Sequence, residues 1–183
     1  MNIKMKILDL FCGLGGWSKA FAEAGHDCTG VDIVNLGYPY RFIKADLNDW
    51  VPDQHYDVIL ASPPCTQFSK VNRNWNGQNN ESKGLELVFR TFALIQEIKP
   101  KHWVIENVNG LSEFIDKPND IVRYGKSKSR KEAYLWSNIG KLGFFETMID
   151  KNTHHKTYRD HDPEMARIPF QLSKAVLTKI END

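Results

Sequence analysis

Short apolar runs rich in β-branched residues alternate with helical periodicities over residues 5–108. That alternation restricts the chain to folds built on a parallel sheet with helices on both faces. Strand patterns fall at residues 5–11, 28–33, 42–45, 56–61 and 102–108. A short helix at 17–24 is stopped by Gly25, and a longer one at 85–98 carries Leu85, Val88, Phe89, Phe92 and Ile95 at helical spacing and ends before Pro100. After Gly110 the pattern changes to a short helix at 111–115, a loop, and two strand patterns at 132–137 and 144–149. These two are close enough to pair antiparallel at one edge, and an amphipathic helix at 169–180 closes the chain. The expectation is an α/β fold with a mostly parallel, doubly wound sheet and an antiparallel edge. With no internal repeat and no linker, residues 1–183 read as one domain.

The fourth strand pattern leads directly into Ser62-Pro63-Pro64-Cys65. Two consecutive prolines fix φ and supply no N–H donor, so the turn is stiff. It places a thiol just beyond the carboxyl end of a central strand, where open α/β sheets carry their chemistry. Three cysteines, Cys12, Cys28 and Cys65, are an odd number without metal-ligand spacing, which points to a reduced, cytoplasmic thiol protein. Of these, Cys12 and Cys28 read as packed residues and Cys65 as a nucleophile. No apolar run is long enough for a membrane span, and none resembles a signal peptide. His154, His155 and His161 have no cysteine nearby to complete a ligand set, so no metal site is expected.

Asp9-Leu10-Phe11-Cys12-Gly13-Leu14-Gly15-Gly16 joins the first strand to the first helix. Glycines let a backbone turn tightly and approach a ligand, although this spacing is not the dinucleotide fingerprint. Asp32 ends the second strand, where an acid can accept from ribose hydroxyls, and Asp46 follows the third. Together they suggest an adenosine-containing cofactor; each acid alone is equally consistent with a loop carboxylate of no special role. Glu106 interrupts the apolar strand around Ile105 and Val108. Desolvation there would raise its pKa toward the range of a proton donor at neutral pH. The plain alternative is a structural acid paired with a lysine or arginine.

The net charge is only +1, so the field of the whole molecule does not drive nucleic-acid binding. Local charge is less even. Arg123, Lys126, Lys128, Arg130 and Lys131 crowd beside Tyr124, and His154, His155, Lys156, Arg159 and His161 form a second group. Such runs are either solvated faces or phosphate contacts beside an active site. Residues 69–84 form a polar, Asn-rich stretch with Lys70, Arg73 and Trp75, read as a loop that either covers the cysteine or is disordered.

Residues 9–16, 62–69 and 105–108 resemble, in order and approximate spacing, three signature blocks of the cytosine-C5 DNA methyltransferases. The resemblance implies a Rossmann-like fold that binds S-adenosylmethionine, a DNA substrate, and methylation of C5 of cytosine. It further implies Cys65 as the nucleophile toward C6 and Glu106 as the group at N3, with Arg130 at O2 of the base. Cofactor contacts are implied for Asp9, Phe11, Gly13, Leu14, Gly15, Asp32, Ile33, Asp46, Leu47 and Pro63. Relatives that methylate exocyclic amines end the same turn in an aromatic residue, so Cys65 is the discriminating position.

The chain departs from the family pattern in places. Thr66 stands where many members have glutamine, and Ser129-Arg130-Lys131-Glu132 is the nearest match to the Gln-x-Arg-x-Arg block. The Gly-Asn-Ser block is absent, with Ala166-Arg167-Ile168-Pro169 in its place. There is no room for a separate target-recognition domain, so sequence readout would fall to loops, to a partner or second subunit, or to a very short target. The same chemistry on RNA or a free cytosine nucleotide remains open, as does a catalytically silent nucleic-acid-binding subunit of the same fold.

Overall fold

The computed structural model describes residues 3–68, 81–124, 131–142 and 167–183. Among the described residues, seven strands form one sheet in the order β3-β2-β1-β4-β5-β7-β6. The first five are β1 (Lys6–Leu10), β2 (Asp27–Asp32), β3 (Arg41–Lys44), β4 (Val58–Ala61) and β5 (His102–Asn107), all parallel to their neighbours. Beyond β5 lie β7 (Lys131–Ser137) and the edge strand β6 (Asp120–Tyr124), with β7 antiparallel to both of its neighbours. The expected α/β sheet, mostly parallel with an antiparallel edge, is the observed one.

Alternate residues of the inner strands sort into two cores. Ile7, Val58, Leu60 and Val104 pack with Trp17, Phe21, Leu172 and Val176, hence against α1 (Ser18–Glu23) and α3 (Phe170–Glu181). Leu8, Leu10, Ile59, Ala61 and Ile105 face the opposite way, toward Val88, Leu94, Ile95 and Ile98 of α2 (Glu81–Ile98). Both faces of β4 are sealed, which is why its sequence reads as a continuous apolar run rather than an alternating one. Helix α2 stops because Lys99 takes a left-handed φ of 53° ahead of Pro100.

Two expectations need correction. The antiparallel partner of β7 is the segment Asp120–Tyr124, read from sequence as loop; the expected partner at 144–149 lies outside the described residues. The β6 pattern is a single short alternation, with Val122 buried and Ile121 exposed, too brief to stand out beside a basic run. In addition, residues 81–84, assigned to the polar loop, form the first turn of α2. They are polar because a first helical turn at the surface has little to bury, and Glu81 suits its N-terminus.

Candidate active site

The site lies beyond the carboxyl ends of β1, β2, β4 and β5. At β1 the chain leaves the sheet with φ values of 59° at Phe11, 47° at Gly13 and 76° at Gly15, left-handed geometry that a tight turn over the sheet requires. Gly15 N–H closes the turn on the Cys12 carbonyl at 2.7 Å. The Asp32 carboxylate, at the end of β2, accepts from Gly13 N–H at 3.1 Å and so ties the two strand ends together. A side-chain carbon added to Gly13 would meet nothing within 4 Å, so the space beside the turn is open. An open glycine turn next to a partly exposed acid fits the adenosine portion of a nucleoside cofactor.

The other expected cofactor residues lie at or just past the carboxyl ends of β1, β2, β3 and β4. Ile33 is exposed just past Asp32, and Leu14, Phe11 and Gly13 are half-buried. Asp46 is exposed and accepts from Asn48 N–H at 3.0 Å, while Leu47 is buried. Arg90 of α2 holds that segment by donating to the Leu47 and Trp50 carbonyls at 2.9 and 2.6 Å. Asp9 lies beneath the turn, sealed from solvent, accepting from Ser18 Oγ at 2.7 Å; Ser18 Oγ is in turn 2.6 Å from Tyr38 Oη. Burial pushes the Asp9 carboxyl up to about 8, against the opposing Ser18 hydrogen bond. Pro63 is buried at the start of the cysteine turn.

That turn is clamped from both sides. Asn107, fully buried at the end of β5, donates from Nδ2 to the Pro63 carbonyl at 2.9 Å. Residues Cys65–Gln67 form one 3₁₀ turn, and the chain then drives Phe68 into the α2-side core. Gly110 makes that possible, since a Cβ there would stand 1.9 Å from the Phe68 carbonyl oxygen. The result is a partly exposed Cys65 on a rigid support. Its thiol is pushed up by burial first and by ionised Glu106 second, with its own backbone and Lys131 pulling it down.

Glu106 reaches the same place through strand register. Ala61 pairs with Ile105, so one step further Ser62 stands beside Glu106, and both project toward the α1 face. The Ser62 hydroxyl hydrogen-bonds the Glu106 carboxyl, and burial outweighs that bond to raise Glu106 to about 7. Glu106 is itself only partly buried at the end of β5. Tyr124, across on β6, is pushed above its ordinary range by burial and by the charges of Glu106 and Cys65, so it stays a protonated donor. Lys131 pairs with Tyr124 across the hairpin.

A family described as C-5 cytosine-specific DNA methylase matches residues 40–124, a span that holds both Cys65 and Glu106. A Frog virus 3 (isolate Goorha) protein named "Probable DNA (cytosine-5)-methyltransferase" is 32% identical over 152 residues, covering 74% of this chain and 71% of the relative. The chain belongs to the C-5 cytosine-specific DNA methylase family. Two bacterial relatives align over a smaller share. The type II methyltransferase M.BsuFI of Bacillus subtilis is 31% identical over 122 residues, 60% of this chain and 28% of that enzyme. M.AgeI of Thalassovita gelatinovora is 27% identical over 126 residues, 58% of this chain and 28% of that enzyme. This methylase family member thus matches less than a third of the length of these two type II enzymes.

The structure brings Cys65 and Glu106 together and sets the glycine turn and Asp32 beside them. Arg130 lies outside the described residues, as do Lys70, Arg73, Trp75, Lys126, Lys128, Lys156, Arg159 and the three histidines 154, 155 and 161. Of the first basic group, Arg123 forms an ion pair with Glu132 at 2.7 Å. Among the described residues there is no group of three or more metal-ligating side chains, and no helix is long and apolar enough to cross a membrane. Sequence reasoning missed Trp17, Ser62 and Asn107 as neighbours of the chemistry, and it named Tyr124 and Lys131 only within a basic group, without setting them beside Glu106 and Cys65. Ser62 was findable, since pairing the carboxyl ends of β4 and β5 residue by residue puts it next to Glu106. Tyr124 was not, because β6 itself was unseen.

Proposed function

We propose that this protein methylates C5 of cytosine in DNA, with S-adenosylmethionine as methyl donor and a covalent bond between Cys65 Sγ and C6 of the base. The observation that carries the reading is a partly exposed thiol beside a carboxyl raised to about 7, on adjacent strand ends next to an open glycine turn. C5 belongs to an aromatic ring and does not attack an electrophile unaided. Addition of the Cys65 thiolate to C6 opens the C5–C6 double bond, and the proton that Glu106 gives to N3 neutralises the ring, leaving an enamine with electron density on C5. S-adenosylmethionine, when bound, supplies a methyl group made electrophilic by its sulfonium. C5 would take that methyl group as its bond to the sulfonium breaks. Water would then accept the C5 proton, and the released electron pair would re-form the C5–C6 double bond as the Cys65 thiolate leaves C6. The N3 proton would return to Glu106.

In this scheme Glu106 works at its best pH. Near neutrality it holds a proton to give and also takes one back. Ionised Glu106 repels a Cys65 thiolate, so the working pair is thiolate with carboxylic acid. Gly13, Leu14 and Gly15 would hold the cofactor along the turn, with Asp32 at the ribose and Phe11, Ile33, Asp46, Leu47 and Pro63 around the base; Asp9 would support the turn from below. Arg130 would hold O2 of the cytosine. In a duplex the base must leave the stack to reach this site. Sequence readout would fall to loops of this chain, to a partner or second subunit, or to a very short target. The free state of all three cysteines supports a reducing, cytoplasmic setting.

A duplex carrying 5-fluorocytosine tests the scheme, because fluorine at C5 cannot leave as a proton and traps the adduct. With S-adenosylmethionine present, the wild-type protein should yield a denaturation-resistant complex through Cys65, and Cys65→Ala should yield none. Methyl transfer to DNA without any such adduct would refute the covalent scheme. Transfer to RNA or dCMP in place of DNA would reassign the substrate.

A further inference from the structure

We infer that Trp17 and Ser62 are positioning residues that orient Glu106, forming a one-way chain of donors from indole to hydroxyl to carboxyl. The inference rests on the methyltransferase reading above and adds to it the residues that aim the acid. Trp17 is buried at the junction of the glycine turn and α1, and its Nε1–H lies 2.9 Å from Ser62 Oγ. An indole N–H can only donate, so the Ser62 oxygen is the acceptor. The single hydroxyl hydrogen of Ser62 is then free for Glu106, which the β4–β5 register sets beside it on the same face. One carboxyl oxygen is occupied by that bond. In the inferred arrangement the other oxygen would carry the transferable proton.

The far end of the chain is anchored too. Ser173 Oγ of α3 donates to the Trp17 carbonyl, and Trp17 follows directly on Gly15 and Gly16. The indole is therefore fixed by the same segment that forms the cofactor turn. Alternation along β4 and β5 explains why the three side chains meet: Leu60 and Val104 face the α1 side, and so do Ser62 and Glu106 two residues on. Ser62 needs no contact with substrate to act this way. It fixes which oxygen of Glu106 is free and favours the ionised form to which the proton returns.

The test uses the full chain and the variants Ser62→Ala, Ser62→Thr, Trp17→Phe and Ser62→Ala/Trp17→Phe. Carbon-13 labelling of glutamate side chains, read by NMR across pH in the protein alone, follows the Glu106 carboxyl, with Glu106→Gln assigning its signal. Loss of a hydrogen bond to the ionised form should move the Glu106 midpoint upward by about one pH unit in Ser62→Ala. Trp17→Phe should move it in the same direction by less, and Ser62→Thr should restore it. In single-turnover methylation of DNA, Ser62→Ala should lower the rate constant about tenfold with DNA affinity unchanged. Adding Trp17→Phe to Ser62→Ala should change neither readout further, because the indole acts only through the hydroxyl. A midpoint unmoved in Ser62→Ala, or a double variant whose losses multiply, overturns the inference. A wild-type protein that transfers no methyl group yet shows the expected midpoint shifts would sink the methyltransferase reading and leave the linkage standing.

Discussion

Asp9 and Glu106 are the same device built twice, at the ends of β1 and β5. Each is a carboxyl on a central strand, each is raised by burial, and each is held by a serine hydroxyl, Ser18 or Ser62. They differ in access. Asp9 is 1% exposed under the glycine turn, whereas Glu106 is partly open beside the cysteine. A raised pKa follows from desolvation in both and therefore says nothing by itself about catalysis. What separates an acid that acts from one that merely sits is a route to the reacting atom.

The largest expected effect tests the open member. Glu106→Gln keeps the shape and loses the transferable proton, and should lower the methyl-transfer rate constant by about 10² to 10³. The pH profile sharpens the assignment. With thiolate and carboxylic acid as the working pair, the rate rises with pH up to about 7, where Glu106 begins to lose its proton, and then levels off until the raised Cys65 thiol ionises. In Glu106→Gln the levelling should vanish and the rate should climb through pH 8. A variant that still levels near 7 would show that another group sets that limb.

Much of this comparison was legible in the sequence, and the missing part has a physical reason. The carboxyl interrupting an apolar strand at Glu106, the thiol after two prolines and the glycine turn are each local patterns, and local patterns survive in a string of letters. Asp9 also sits in an apolar strand, but nothing in its neighbours distinguishes sealed from open. That distinction depends on Tyr38 folding back over Gly15 and Gly30 from another segment of chain. Ser62 and Trp17 are 45 residues apart and meet through strand order. Tyr124 reaches the site on a strand whose pairing, not its composition, makes it a strand.

The cysteines repeat the contrast of sealed against open at smaller amplitude. Cys12 and Cys28 are buried and pushed up, chiefly by burial with Asp9 second, while Cys65 is partly exposed. Iodoacetamide on the native protein should therefore label Cys65 alone, as peptide mass mapping would read. Removing the neighbouring charge should make that thiol easier to ionise, so Glu106→Gln should be alkylated about threefold to tenfold faster than wild type at pH 8. Equal rates would mean that Glu106 does not act on the thiol. Labelling of Cys12 would mean that the glycine turn opens in solution.

The smallest effect belongs to the sealed carboxyl and appears in stability. Asp9 has an ordinary value of 3.8 when the chain is unfolded and about 8 when folded. Between those values the folded state holds a proton that the unfolded state gives up, so this group's contribution is complete below pH 4 and is lost as pH rises toward 8. Glu106 behaves likewise over a narrower window, from 4.5 to about 7. Asp9→Asn keeps an acceptor for Ser18 and removes the titration. Its melting temperature should fall relative to wild type at pH 5 and gain on it by a few degrees at pH 8. Thermal unfolding of both proteins at the two pH values measures the difference directly. A gap that does not change with pH would mean that Asp9 ionises without penalty, that water reaches it beneath the turn, and that the two carboxyls are less different than their exposures make them.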